Sequence, residues 1–282
     1  MPAVTGTLAA DEAEALTALV RDTARRLILP RFRNLDATEI AAKSDPLDLV
    51  TVADREAEAA IAQGARRILP GAAIIGEEAV AADPRLLDAL GQGGTAVLID
   101  PVDGTLNFAR GLSVFGVILA VVREGQTVFG LLHDPVMDDW VVAHRGGGAW
   151  HVSARGARRR LKVSDCRALG EAEGILPFET GHGTRRAQAM AAFAGARSLR
   201  SLRCSCHEYR MLAAGQADFS VSALLNPWDH AAGMLAVEEA GGWGQVEGGR
   251  RYVPTLRDGR AVAAAGPELG RAVAALAWRD SV

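Results

Sequence analysis

Asp100 and Asp103 stand three residues apart in the stretch Ala96-Val97-Leu98-Ile99-Asp100-Pro101-Val102-Asp103-Gly104-Thr105-Leu106-Asn107-Phe108. An apolar strand opens there into a turn. Pro101 fixes its own φ and Gly104 permits a conformation other residues resist, so the backbone is expected to bend sharply and aim both carboxylates at one point. Backbone N–H groups at Gly104 and Thr105 face the same place, as they do where a helix begins and an anion binds. A cation site and an anion site then adjoin. Taken alone, the stretch is equally an ordinary pair of Asp-Pro and Asp-Gly turns.

Further acidic residues sit where secondary structure changes: Asp54 near a helix start, Glu77 after a strand, Asp229 at the start of a late helix. If these groups meet, physics constrains what accompanies them. Two carboxylates 4 Å apart repel by about 1 kcal/mol in bulk water and about 4 kcal/mol in a partly shielded site, so several together need protons or cations. Oxygen-only ligands favour Mg²⁺ or Mn²⁺ over zinc. Singly, Glu77-Glu78 is a solvated strand end, Asp229 after Trp228 is a helix cap, and Lys43 and Asp54 carry little message.

The elements that position these residues follow from periodicity. Apolar residues at helical spacing predict an amphipathic helix from Asp11 to about Leu29. A polar loop from Lys43 leads into a short β-branched segment and a second helix, with Thr51 and Asp54 as a capping box and Ala57, Ala60, Ile61 and Ile68 as its buried stripe; Pro70-Gly71 ends it. Ala72 to Ile75 reads as a strand delivering Glu77, and Asp83-Pro84 opens a brief helix. Val114 to Val122, Thr127 to His133 and Trp140 to His144 read as antiparallel strands, with Arg145 to Gly148 a turn and Leu161 to Ser164 closing the sheet. Beyond Asp165 strands and helices alternate: strands at Leu199 to Leu202, Ala217 to Ser220 and 262–265, helices at Cys206 to Ala214, Trp228 to Ala240 and Glu268 to Trp278. The fold class is therefore α/β, with an α+β N-terminal half (1–164) and a layered α/β C-terminal half (165–282) forming one compact unit, since no linker or internal repeat divides them.

Composition excludes several classes. With 282 residues, 49% apolar and 23% charged, the chain has the make-up of a soluble globular protein. A formal charge of -3 argues against a dedicated nucleic-acid surface, and the four arginines between Arg155 and Arg160 read as a solvated hairpin because no aromatic residues alternate with them. No apolar run is long enough to span a bilayer, the first residues do not form a signal peptide, and three cysteines without framework spacing fit a reducing compartment; the expected location is cytoplasmic.

Four segments, in order, resemble the inositol monophosphatase family. Lys43 with Asp48-Leu49-Val50-Thr51-Val52-Ala53-Asp54 is similar to its lysine and D-x-V-T-x-x-D element, and Ile75-Gly76-Glu77-Glu78 to its G-E-E strand end. Asp100 to Phe108 resembles its D-P-[IV]-D-G-T-x-N-F signature, and Trp228-Asp229-His230-Ala231-Ala232-Gly233 its W-D-x-A-A-G. The resemblance implies an αβαβα sandwich, a Mg²⁺-dependent phosphomonoesterase with two or three ions, and a homodimer. It implies Glu77, Asp100 and the Val102 carbonyl around one metal, Asp100, Asp103 and Asp229 around a second, and Asp54 with Glu77 near a third. Gly104 and Thr105 would bind the phosphate, and Thr105 with Glu77 would orient the attacking water, Asp54 lying beside them.

The substrate side departs from the pattern. Family members acting on inositol phosphates carry a glutamate seven residues before the W-D aspartate, where this chain has Ser222, and Arg203-Cys204-Ser205-Cys206-His207 replaces a run of small residues. Arg203 either reaches a second anionic group or faces solvent; Asp103, Arg203, Ser205 and Ser222 are the candidate substrate contacts. Cys204 and Cys206 are expected to be packed thiols, not zinc ligands, and His230 helix surface or a support to the site rather than a base. The substrate is expected to be a small phosphorylated metabolite: an inositol phosphate, or alternatively a 3′-phosphonucleotide, histidinol phosphate or fructose 1,6-bisphosphate. Haloacid dehalogenase phosphatases use D-x-D, and the two residues between Asp100 and Asp103 decide against them. A non-catalytic regulatory member is the remaining reading, opposed by the complete acidic set.

Overall fold

The computed structural model describes residues 6–43, 45–177 and 184–278. Helix α1 (Ala10–Thr23) passes through a π turn at Ala24–Ile28 and a 3₁₀ turn at Leu29–Arg31, where Pro30 forbids further helix. A small hairpin of β1 (Ile40–Ala42) and β2 (Leu49–Thr51) then leads into α2 (Val52–Ile68). The predicted capping box forms: Asp54 takes the Thr51 N–H at 2.8 Å while the Thr51 hydroxyl takes that of Ala53 at 3.2 Å. The buried face of α2 is Ala53, Ala57, Ile61 and Ala65, with Ala60 and Ile68 at its margin.

The first sheet has seven strands in chain order: β3 (Ala73–Gly76), β4 (Thr95–Asp103), β5 (Gly116–Arg123), β6 (Gln126–Asp134), β7 (Asp139–His144), β8 (Gly148–Val152) and β9 (Arg158–Arg160). Only β3 and β4 run parallel; the rest is an antiparallel meander. Three details differ from the sequence expectation. Residues 161–164 do not close the sheet; the arginines Arg158–Arg160 do, as a wholly exposed edge strand whose charge discourages pairing with another chain. Glu77 opens a short helix, α3 (Glu77–Ala82), and the brief helix after Asp83 is 3₁₀, from Pro84 to Gly91. Finally, β4 does not stop before Asp100 but runs through Asp103, into α4 (Thr105–Ala109).

The second sheet comprises β10 (Glu173–Ile175), β11 (Ser198–Arg200), β12 (Phe219–Ser222), β13 (Trp243–Val246) and β14 (Ala261–Ala264), ordered β11-β10-β12-β14-β13. Strands β10 and β13 are too short and too mixed in composition for periodicity to reveal, and β12 lies two residues beyond its predicted span. Helices α5 (Thr184–Ala192), α6 (Ser205–Ala213), α7 (Pro227–Glu239) and α8 (Pro267–Ala277) complete the chain.

These elements stack in five layers. Helices α1 and α2 cover one face of the seven-stranded sheet, α6 and α7 lie between the sheets, and α8 with α5 covers the far face of the second. Both faces of the large sheet are therefore buried, and β4 and β5 read as near-continuous apolar runs whose residues alternate between cores. Val97, Ile99, Val117 and Leu119 join the α1/α2 core, whereas Leu98, Ile118 and Ala120 join that of α6 and α7. Helix α7 is apolar nearly all round because it packs on both sheets. The arrangement is the αβαβα sandwich expected.

Candidate active site

A β-bulge makes the site. Strand alternation places residues i and i+3 on opposite faces, which would separate Asp100 from Asp103. Asp100 pairs with Ile118 but Asp103 pairs with Gly116, so three steps along β4 match two along β5. The additional residue, next to Pro101, puts Val102 into the α1/α2 core and returns Asp103 to the α6/α7 side with Asp100. Asp229, in the first turn of α7, then completes the cluster: one carboxylate oxygen each from Asp100, Asp103 and Asp229 lie within 4.8 Å of one another.

Each carboxylate is held. The Asp103 Oδ2 accepts the Cys206 N–H and the Cys204 thiol, the latter at 3.1 Å, so the two cysteines are buried packing groups that also fix a site carboxylate. A side chain at position 116 would not allow this, because a Cβ there would lie 2.4 Å from the Cys206 Sγ. The Asn226 amide donates to Asp229 at 3.1 Å. Lys43 bridges two glutamates, its Nζ 2.7 Å from Glu77 and 2.6 Å from Glu78. Burial lowers the Lys43 pKa, but the two glutamates outweigh it and hold the ammonium charged. Glu58, one helical turn after Asp54 on α2, accepts the Glu78 and Ala79 N–H groups at 2.7 and 2.9 Å and so orients α3. Sequence reasoning missed Glu58, although its i,i+4 spacing from Asp54 on the buried face was a readable signal.

Gly104, at φ +87°, ends β4 and caps α4 in a conformation only glycine adopts without strain. Behind α4, Phe108 stacks with Phe32 and meets Phe115 edge-on. Asn107 donates to the carbonyls of Val114 and Leu202 at 2.9 and 2.8 Å, tying α4 to the loop that carries Arg203. The Thr105 hydroxyl lies 3.1 Å from Asp54 Oδ1 and 2.9 Å from the Val102 carbonyl. It has one proton for two acceptors, so the protonation of Asp54 decides which it serves.

Electrostatics follow from crowding and burial. Burial, opposed by the Thr51 bonds, pushes Asp54 up to about 7. Burial, with Asp229 adding to it, pushes Asp103 up to about 8, and Asp229 itself is raised to about 6, mainly by burial. Asp100 is raised further by burial, Glu77, Asp103 and a hydrogen bond with Asp229, and burial raises Glu77 against the pull of Lys43. Hard oxygen donors that repel one another, buried and deprived of a counter-charge, fit a divalent cation.

The carboxylates open on a cleft of about 300 Å³ lined by Gly104, Thr105, Arg203, Ser205, Ser222 and Leu224. All three polar candidates from the divergent substrate side thus face it. Arg203 is half-buried at φ +52° and donates to the Leu47 carbonyl at 3.3 Å. His230 is not helix surface: it is buried, with Nε2 2.6 Å from the Leu224 carbonyl and Nδ1 2.9 Å from the Tyr209 hydroxyl. Burial pushes Tyr209 up, against a hydrogen bond from Ser222. No zinc cluster forms around Cys204 and His207; the acidic triad is the only metal-ligating group found among the described residues.

Residues 10–281 match the model of the inositol monophosphatase family. The chain belongs to that family. A fructose-1,6-bisphosphatase/inositol-1-monophosphatase of Thermotoga maritima is 33% identical over 199 residues, 69% of this chain and 70% of the relative. A histidinol-phosphatase of Chlorobaculum parvum is 30% identical over 229 residues, covering 79% and 80%. The solved Thermotoga maritima IMPase superposes with a TM-score of 0.77 at 26% identity, covering 94% of this chain and 98% of that one. Inositol monophosphatase family relatives are thus phosphatases with differing substrates, and the family is metal-dependent. Among the described residues no helix is long and apolar enough to cross a membrane.

Proposed function

We propose that this chain is a Mg²⁺-dependent phosphomonoesterase that hydrolyses a small phosphorylated metabolite of the inositol phosphate type with water as nucleophile. The observation that carries the reading is the convergence of Asp100, Asp103 and Asp229 beside Gly104 and Thr105 at one cleft. Glu77, Asp100 and the Val102 carbonyl would hold one Mg²⁺, Asp100, Asp103 and Asp229 a second, and Asp54 with Glu77 would border a third; Mn²⁺ satisfies the same donors. When bound, the ions supply positive charge that polarises the phosphate and acidifies water.

The protein's own groups do the remaining work. The Gly104 and Thr105 N–H groups receive phosphate oxygens at the start of α4. An ionised Asp54 accepts the Thr105 proton, which turns the Thr105 lone pairs toward the cleft to take a proton from the attacking water. Asp54, at about 7, is poised to hold that proton near neutral pH, while Thr51 fixes its second oxygen. Positioning and charge suffice because phosphoryl transfer asks for little covalent help. The two halves, 1–164 and 165–282, act as one unit in this reading, since β4 and α7 both contribute ligands; a cytoplasmic homodimer is the accompanying proposal.

The test is phosphate release from a panel of phosphomonoesters with and without Mg²⁺, with Asp103→Asn and Asp229→Asn as controls. Metal-dependent turnover lost in both variants is expected. No turnover on any ester, with Mg²⁺ binding unchanged in both variants, overturns the reading.

A further inference from the structure

We infer that the cavity between strands β7 to β9 and the later turns of α6 is a second binding site, one for a free tetrahedral oxyanion, with inorganic phosphate as its ligand. The cavity holds about 210 Å³ and shares no lining residue with the carboxylate cleft.

Strand pairing builds one wall. Val141 on β7 pairs with His151 on β8, and His151 pairs with Arg159 on β9, so the three side chains form a row across the sheet. Val141 belongs to the core beneath α6 and α7, which puts the row on that face. The opposite wall is a helix stripe: His207, Arg210, Met211 and Ala214 stand at i, i+3, i+4 and i+7 along α6 and its cap, with Gln216 beyond them. Packed layers normally fill such a seam with apolar side chains. Here two guanidinium groups, two imidazoles and an amide line one space, and no carboxylate lines it.

The acceptors stand behind the donors. Asp139 takes His151 Nε2 at 3.1 Å on one oxygen and the Arg210 guanidinium on the other, while the Leu132 carbonyl accepts from Arg210 Nη1 at 2.9 Å. The Phe115 carbonyl accepts from His207 Nε2 at 3.0 Å. Asp134, 3.9 Å from that nitrogen, is engaged by the N–H groups of Val136 and Met137. These bonds fix the groups in place and leave further N–H groups on Arg210 and Nδ1 on both rings. The Arg159 side chain has no ion-pair or hydrogen-bond partner among the described residues, so no carboxylate answers its charge. Planar guanidinium forks suit the oxygens of phosphate. Phosphate also carries both P–O⁻ and P–OH near neutral pH, so Nδ1 finds a partner on it in either protonation state. Size points to the free ion, because the cavity is smaller than the roughly 300 Å³ at which pockets for drug-sized ligands begin.

Titration calorimetry of the full chain with inorganic phosphate, in Mg²⁺, tests the site. The wild type is expected to bind two phosphates per chain, one at the cleft and one here. Arg159→Gln removes a charge-assisted bond and Gln216→Glu adds a repelling carboxylate at nearly equal size. Each should weaken one of the two phosphates by about tenfold or more, while phosphomonoester turnover and the phosphate-free melting temperature stay as in the wild type. In Asp229→Asn, which breaks the cation site, the phosphate that still binds should be the one that Arg159→Gln removes; that arm counts this site whether or not the cleft is a phosphatase. A wild type whose only phosphate is lost in Asp229→Asn overturns the inference, as do two phosphates held with unchanged affinity in both pocket variants. Phenylphosphonate, whose ring exceeds the cavity, should bind here at least tenfold more weakly than phosphate. Equal binding of the two overturns the assignment to the free ion.

Discussion

Removing divalent cations should make the stability of this protein fall as pH rises through neutrality. Asp54 and Asp103 titrate at about 7 and about 8 in the folded chain, against roughly 4 for an unfolded aspartate. A carboxyl raised in the folded state binds its proton more tightly there, so the folded state holds more protons than the unfolded state between the two values, and stability declines over that window. Between pH 7 and 8 the buried histidines His133 and His230, both lowered to about 4 by burial, are neutral when folded and nearly so when unfolded, and contribute little. Asp54 and Asp103 together then hold about one extra proton, a slope of roughly 1.4 kcal/mol per pH unit, to which Asp100 adds. For a chain of this size that is a drop in Tm of about 3 to 6 °C. Thermal melts of chelator-treated protein at pH 7.0 and 8.0, with and without saturating Mg²⁺, measure it. Mg²⁺ should raise both values and abolish most of the slope, and Asp103→Asn should remove most of the slope without metal. Metal-free stability that is flat or rising over this interval, or an equal fall with Mg²⁺ bound, would refute the electrostatic account of the cluster.

Other outcomes follow from single contacts. Thr105→Ala should lower kcat by about 10²- to 10⁴-fold in steady-state assays while the melting temperature moves little, because the hydroxyl's task is proton transfer. Gly116→Ala should cost about 1 to 3 kcal/mol in denaturant unfolding and weaken Mg²⁺ binding in titration calorimetry, since the new methyl meets Cys206 and displaces a donor to Asp103. Thr51→Ala should cost about 1 kcal/mol as a lost helix cap and shift the acid limb of the pH–rate profile upward as Asp54 loses its hydroxyl donor, the backbone N–H remaining. At the other extreme of pH, hydrogen bonds from Arg21 and Arg25 hold Asp138 at about 2. Its stabilisation is present above pH 4 and lost as pH falls toward 2, so Asp138→Asn should flatten that part of an acid-unfolding curve.

Much of this was legible in the sequence because strong local signals agreed with the fold. The Thr51–Asp54 box, the Asp83-Pro84 start and the long apolar strands each have a local cause, and each formed. Strands β10 and β13 have none; Glu173 and Gly174 pair because their neighbours in the sheet leave a place for them. At the site, residue types announced Asp100, Asp103 and Asp229, but not the means of bringing the first two together. The turn read from Pro101 and Gly104 is a bulge within a continuous strand, a property of pairing with β5 that β4 alone does not contain. Cys204 and Cys206 were read as packing groups, and only their three-dimensional placement showed that they also hold Asp103. Of the two places read for His230, the helix surface is excluded because a histidine at this position of α7 is buried once both sheets are in place.

That bulge works as a change of parity. Upstream of it, odd-numbered positions on β4 belong to one core and even-numbered positions to the other; downstream the assignment is reversed, with Val102 and Asp103 exchanged. The site is therefore sensitive to how this segment pairs with β5 more than to the identity of the residues between positions 100 and 103. Pairing the same residues in regular register, without the bulge, would turn Asp103 into the hydrophobic layer beneath α1 and α2, while every apolar residue upstream kept its place. A chain paired in this way would keep its architecture and lose its cation site, so the match of three residue steps on β4 to two on β5 is a condition of the site that the rest of the sheet does not impose.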